Sequence, residues 1–204
     1  RWLVRSALAA LDFRGAERMV RINQLPLGLA DLDAIVPETP DLILLPKCED
    51  PAQVQEADAR IAAIRSRLSL PGDIWLMPIV ESPLGVERAY AIASASPRIV
   101  ALTIGLEDYT AELGVARTVE GRESLWARQA VVNAARAAGV PPIDSVFSDV
   151  ADPEGLRQSC REARALGFEG KGCIHPSQIR PVNETFAPTA QEIENAAGYT
   201  TTRF

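Results

Sequence analysis

Two kinds of apolar pattern alternate along this chain. Short unbroken apolar runs bounded by Gly or Pro read as buried strands, and stretches with apolar residues every three or four positions read as helices. Leu3, Val4, Ala7, Leu8 and Leu11 fall at helical spacing, with Gly15 beyond the end. Strands are then predicted over 19–23 and 42–47, followed by a helix with Val54, Ile61, Ile64 and Leu68 on one face. A third strand over 75–80 leads into a helix from about Gly85 to Ala95, and a fourth strand covers 99–105. Residues 107–120 read as a long loop, and the helix after it carries Leu125, Val132 and Ala135. The fifth strand, 143–147, follows a Pro-Pro turn. Pro153 opens a helix with Leu156, Cys160 and Ala163. A sixth strand over 168–175 and a last helix beginning over 190–197 complete the pattern.

Strict strand–helix alternation specifies an α/β protein with a parallel sheet. Six strands suit a doubly wound sheet, or a (β/α)8 TIM barrel from which the first two strands are missing. The chain opens in mid-helix, which the second architecture explains better. A single domain over residues 1–197 is expected, with a divergent tail over 198–204.

Bulk properties narrow the function classes. A hydrophobic share of 47% with 24% charged residues is ordinary for a globular protein, so the chain can bury one substantial core. A formal charge of −6 argues against general binding to nucleic acid or a membrane surface. No apolar run approaches the roughly 20 residues of a membrane span, and the N-terminus lacks a signal peptide's apolar core. Cys48, Cys160 and Cys173 have no metal-binding spacing and an odd count, so a reducing cytoplasmic setting is expected.

The chemistry is concentrated where strands end. Glu81 closes the run Trp75-Leu-Met-Pro-Ile-Val80, and Asp108 follows the run ending at Gly105. Carboxylates at the carboxyl ends of parallel strands point into the crevice where α/β proteins bind ligands. Two of them with no matching basic cluster suggest a hard divalent cation such as Mg2+.

Five segments then occur in order: Val20-Arg-Ile-Asn23, Leu45-Pro-Lys47, Val80-Glu-Ser-Pro-Leu-Gly85, Gly105-Leu-Glu-Asp-Tyr109 and Gly170-Lys-Gly-Cys-Ile-His-Pro-Ser-Gln-Ile179. Together, and with Val182-Asn-Glu-Thr-Phe-Ala-Pro188, they closely resemble the citrate lyase β-subunit-like branch of the HpcH/HpaI aldolase family over roughly residues 1–197. The resemblance implies a (β/α)8 barrel whose visible strands are the third to the eighth. It also implies Mg2+ held by Glu81 and Asp108, with cleavage of a citryl, malyl or citramalyl thioester of coenzyme A or an acyl carrier. The products would be an oxo acid such as oxaloacetate, pyruvate or glyoxylate, and an acyl thioester. Relatives form trimers or hexamers, so a homo-oligomer, such as a homotrimer, is expected. The family's acidic second-strand motif has no counterpart here, and its C-terminal segment is absent or altered after residue 197.

Arg21 lies inside an apolar strand, where burying an unpaired charge is costly. On the family pattern it binds the substrate's carboxylate or thioester carbonyl through its planar fork, and it is the expected catalytic residue, steadying the enolate. Asn23 could support it. Lys47, at a strand end after Pro46, fits either a substrate contact or a structural ion pair, and Gly105 and Leu106 are expected to meet the ligand through their backbone. Adjacent residues point differently, and the family pattern favours Asp108 over Glu107 as ligand. His175 is the only histidine, and a hydrogen-bonded structural role outweighs a general base there. Asp144, inside the barrel strand, reads as structural or as a support behind the ligand-contacting residues, Trp75 and Trp126 read as packing residues, and Gly170-Lys-Gly172 has the wrong spacing for a phosphate loop. No residue stands out as the base. Thioester hydrolysis or malate synthesis on the same scaffold, and a non-catalytic oxo-acid-binding subunit, remain as rival readings.

Overall fold

In a computed structural model the chain is described over residues 1–200, with side chains over residues 1–196. The elements run α1 (Trp2–Ala10), β1 (Met19–Arg21), α2 (Gly28–Ile35), β2 (Leu42–Leu45), α3 (Pro51–Leu68), β3 (Trp75–Val80), α4 (Pro83–Glu87), α5 (Ala89–Ala93), β4 (Leu102–Ile104), α6 (Leu106–Leu113), α7 (Arg122–Ala138), β5 (Pro142–Asp144), α8 (Pro153–Leu166), β6 (Gly170–Lys171), α9 (Ile179–Phe186) and α10 (Ala190–Thr200). The expected tail over 198–204 falls mostly outside the described residues.

All strand pairs are parallel, and the sheet order is β1-β2-β3-β4-β5-β6. A doubly wound sheet reverses its order at a switch point. Consecutive order instead belongs to a barrel wall, so the fold is a curled partial (β/α) barrel, as the strand–helix alternation suggested. The register aligns Arg21 with Leu44 and Leu44 with Met77 on one level, then Ile79, Thr103 and Ile143 on a higher one. Leu42, Met77 and Ala101 pack together at and below the first of these levels.

The larger core lies between the outer sheet face and the helices, where Ile43, Val54, Ile61, Leu76, Ile92, Leu102 and Val131 are fully buried. The start of α3 is fixed by a capping box: Asp50 accepts from the Ala52 amide, the Gln53 side chain accepts from the Asp50 amide, and Pro51 occupies the first turn. Ser82 and Asp152 cap α4 and α8 in the same way, each accepting from the amide three residues on.

Several expectations need correction. Residues 107–120 are not one loop, because α6 occupies their first half with Leu106, Tyr109 and Thr110 buried and Gly114 as a left-handed cap. Helices α2 and α9 were not anticipated, and the helix expected over 85–95 breaks at Arg88 into α4 and α5. Strands β5 and β6 are shorter than predicted. Beyond β5, Ser145, Val146 and Phe147 bond to groups outside the sheet, the Phe147 carbonyl accepting from the Gln178 side chain at 2.9 Å. Beyond β6, the Ile174 amide donates to the Gln178 side chain at 2.9 Å, which ends that ladder too. The buried face of α7 runs through Ala127, Arg128, Val131 and Ala135, so Leu125 and Trp126 lie outside it and are exposed. Trp75 and Leu68 are likewise exposed rather than packed. Among the described residues, no helix is long and apolar enough to cross a membrane.

Candidate metal and oxo-acid site

The carboxyl ends of the strands surround a cavity of about 640 Å3, lined among others by Arg21, Leu44, Ile79, Glu81, Thr103, Gly105 and Asp108. That size suits a small organic ligand. Glu81 stands two residues beyond Ile79, and side chains alternate along a strand, so both look into the cavity.

Glu81 is 8% exposed, and two neighbours fix it. Its Oε1 accepts from the Lys47 amide at 2.7 Å. Its Oε2 lies where a Cβ on Gly105 would come within 2.6 Å, so only glycine leaves it room there. Gly105 also donates its amide to the Val80 carbonyl at 2.9 Å, which ties β4's exit to β3's.

Asp108 sits in the first turn of α6, where the helix dipole favours a negative charge. Its Oδ1 is 3.2 Å from the Lys47 ammonium, and both side chains are about half exposed. Lys47 thus meets both acids, Glu81 through its amide and Asp108 through its ammonium. It does so in the left-handed region, at φ 52°. The contact with Asp108 is a structural ion pair, one of the two roles expected of Lys47.

The electrostatics follow from this placement. Burial pushes the Glu81 carboxyl above its ordinary range; the Lys47 amide opposes the rise, and the negative charge of Asp108 adds to it. The hydrogen bond and charge of Asp108 raise the Lys47 ammonium in turn. A carboxyl held high by desolvation and a like charge is a site short of positive charge, and a divalent cation would relieve both strains. The donor set fits Mg2+, which is commonly held by one or two carboxylates and completed by substrate oxygens and water. Among the described residues there is no group of three or more His, Cys, Asp or Glu side chains that would form an all-protein cage.

Glu107 takes no part in this pair. Its carboxylate accepts from the Ser148 hydroxyl at 2.6 Å and from Arg117, which also donates to the Val146 carbonyl at 3.0 Å. These bonds and the Ser148 hydrogen bond in particular lower its carboxyl below the usual range. Arg21 lines the cavity from β1 on an exposed lumen position, so it is not the buried charge its apolar strand suggested. No ion pair holds it among the described residues. Asn23 does not support Arg21 by a hydrogen bond; its amide groups bond to Asp31, the side-chain one at 2.6 Å.

The backbone contacts expected of Gly105 and Leu106 are constrained. Both residues line the cavity, but their amides are engaged, Gly105 with Val80 and Leu106 with the Ser145 hydroxyl at 3.1 Å. His175 is exposed and outside the cavity lining; its Nδ1 pairs with the Ser177 hydroxyl at 2.8 Å and accepts from the Ser177 amide, a local cap.

Asp144 is almost fully buried between two cations. Arg128 reaches its two oxygens at 3.1 and 2.9 Å, and the Lys171 ammonium lies 2.6 Å from Oδ2. This triad ties α7 to β5 and β6, the structural role expected of Asp144. Sequence reading missed its partners, as it missed Ser145, Ser148 and Arg117.

Fold and site together define a parallel (β/α) barrel protein with a two-carboxylate site above its lumen. Residues 1–176 match the HpcH/HpaI aldolase/citrate lyase family, and the chain belongs to that family. It is 40% identical over 199 residues to the citrate lyase subunit beta of Leuconostoc mesenteroides subsp. cremoris, covering 96% of this chain and 66% of the relative. It is 33% identical over 205 residues to the mitochondrial citramalyl-CoA lyase of Rattus norvegicus, covering 93% and 60%. The chain therefore spans slightly less than two thirds of these curated relatives. A solved citrate lyase beta subunit from M. tuberculosis, complexed with oxaloacetate and magnesium, aligns with TM-score 0.68 at 33% identity, covering 83% of this chain and 73% of that one.

Proposed function

We propose that this chain carries the metal and oxo-acid site of a Mg2+-dependent carbon–carbon lyase that cleaves a citryl-, malyl- or citramalyl-type thioester. The observation that carries this reading is the convergence of Glu81, Asp108 and Arg21 on one cavity at the strand ends. The M. tuberculosis relative complexed with oxaloacetate and magnesium supports the choice of ligands, and the names of the relatives support the reaction class.

On this reading Glu81 and Asp108 hold Mg2+, and Lys47 releases Asp108 to do so. The bound ion supplies charge withdrawal at the oxo-acid oxygens. Arg21 binds the carboxylate or thioester oxygen by a forked contact and steadies the negative charge that grows as the bond breaks. Assembly as a homo-oligomer, a trimer or hexamer, is part of the same proposal and is tested by light scattering.

A second reading is favoured by one observation: among the described residues that line the cavity, each carboxylate outside the Glu81–Asp108 pair is tied by cations. Glu107 is tied by Arg117 and Ser148, and Asp144 by Arg128 and Lys171. That set suits a subunit that binds an oxo acid without turning over a thioester by itself. An assay with Mg2+ and a panel of citryl, malyl and citramalyl thioesters separates the two. Turnover that is lost in Arg21→Gln supports the lyase. No turnover with any of them, beside retained oxaloacetate binding, supports the binding subunit.

A further inference from the structure

Glu81 and Asp108 are held in different ways. Glu81 is packed against Gly105 and bonded by the Lys47 amide. The carboxylate of Asp108 has about half its surface in solvent, and its one salt-bridge partner among the described residues is the Lys47 ammonium, the group a metal ion would replace. With that contact given up, its position depends on the first turn of α6. Cavities lie on both sides of this turn: Leu106 and Glu107 line the lumen and also a second cavity of about 440 Å3 beyond it. Packing holds the inner side of the helix through Leu106 and Tyr109, but it does not reach the exposed side chain of Glu107.

Polar groups from the exit of β5 do. The buried Ser145 hydroxyl accepts from the Leu106 amide at 3.1 Å. The Ser148 hydroxyl donates to Glu107 at 2.6 Å, and Arg117 joins Glu107 to the Val146 carbonyl, 3.0 Å from its second nitrogen. The two residues immediately before Asp108 are thereby pinned to one segment, 145–148, some 40 positions away in sequence, at separations of 39 and 41 residues. We infer that Ser145 and the Glu107–Ser148–Arg117 cluster are positioning residues that hold Asp108 where it can share a divalent cation with Glu81. The inference rests on the Mg2+ reading above, because it supposes that a cation binds between the two acids.

Residues that orient a metal ligand typically change metal affinity by about 10–100-fold when removed. The test titrates Mg2+ calorimetrically into the whole chain and into Ser145→Ala, Glu107→Ala, Glu107→Gln and Asp108→Asn, with a thermal melt of each. Glu107 is the cleaner probe because its side chain is 58% exposed and no core depends on it. Ser145→Ala and Glu107→Ala should each weaken Mg2+ binding at least about tenfold. Glu107→Gln keeps an oxygen that accepts from Ser148 and Arg117, so it should recover most of the affinity. A role confined to stability would lower the melting point without separating Gln from Ala in Mg2+ affinity. Unchanged Mg2+ affinity in folded Glu107→Ala, or equal losses in Ala and Gln, would overturn the clamp. The Mg2+ reading itself fails separately, if the parent chain binds no Mg2+ or Asp108→Asn binds it as well as the parent does.

Discussion

Gly105 and Glu81 approach so closely that a single added methyl group on the glycine would fall 2.6 Å from the carboxylate oxygen and 2.8 Å from the Cβ of the acid. The glycine's backbone is in the ordinary extended region, at φ −108°. The requirement is therefore space at the acid and not backbone freedom.

This contact predicts that Gly105→Ala will displace Glu81 and weaken Mg2+ binding by at least roughly tenfold, while the far-ultraviolet circular dichroism of the folded chain stays unchanged. Calorimetric titration reads the affinity, and wild-type affinity in the variant would refute the packing argument.

Lys47 separates backbone from side-chain effects. At φ 52° its backbone is in a region where a side chain costs about 1 kcal/mol or more relative to glycine. Lys47→Gly and Lys47→Ala both remove the ammonium, but only the first relieves the strain. Urea denaturation should place Lys47→Gly about 1 kcal/mol above Lys47→Ala, and equal midpoints would count against a strained turn.

Asp144 is the buried anion between Arg128 and Lys171. Asp144→Ala leaves two cations uncompensated in the interior, and removing one partner of a buried ion pair costs about 3–5 kcal/mol. Equilibrium unfolding in urea measures this loss. A change under about 1 kcal/mol would mean that the triad is better solvated than its burial indicates.

Glu192 contributes one identifiable part of the acid dependence, beside other lowered carboxyls such as Asp31 and Asp41. The Thr189 amide, then Arg164 and the Thr189 hydroxyl, hold its carboxyl down to about 2 from an ordinary 4.5. A carboxyl lowered in the folded state stabilises it fully above the unfolded value and loses that contribution as pH falls through the folded one. Stability should therefore fall between about pH 4.5 and 2, and Glu192→Gln should flatten that part of the curve. Parallel curves for parent and variant from acid titration of the unfolding midpoint would reject the assignment.

Thiol reactivity offers a check on the burial of the three cysteines, of which Cys173 lines the cavity. Burial pushes the Cys48 thiol up to about 12, and Cys48 and Cys160 are buried, whereas Cys173 is exposed. Iodoacetamide at neutral pH should label Cys173 in the native chain, and the other two after unfolding. Mass spectrometry of the labelled peptides decides it.

Parts of this architecture were legible because they depend on local pattern. The run Trp75 to Val80 ends at Glu81, and period-2 alternation is enough to aim that acid at the lumen. Arg21 was legible as a charge in an apolar run, although its exposure on the lumen side was not, since that depends on what lies beyond β1. Helix α6 was overlooked although Leu106, Tyr109 and Leu113 recur at helical spacing before Gly114; the acids among them masked the pattern. The partners of Asp144 could not be read at all. Arg128 is 16 residues before it and Lys171 is 27 after it; the β5–β6 register brings in Lys171, and the packing of α7 on β5 brings in Arg128. Ser145 and Leu106 are 39 apart and meet for the same reason, through the pairing of β4 with β5.

The consecutive order of the six strands also bears on how the chain reaches its native state. Each strand finds its partner one helical connection away, so no long stretch of chain must be organised before the first pairings are rewarded. The wall can grow outward from any formed pair, such as β2 and β3 with α3 across them. Slow steps then fall on the last strands, β5 and β6, whose placement against β4 and α7 sets both the buried triad and the turn that carries Asp108. Hydrogen exchange should accordingly find β2 and β3 protected early in refolding and the metal-binding end completed late.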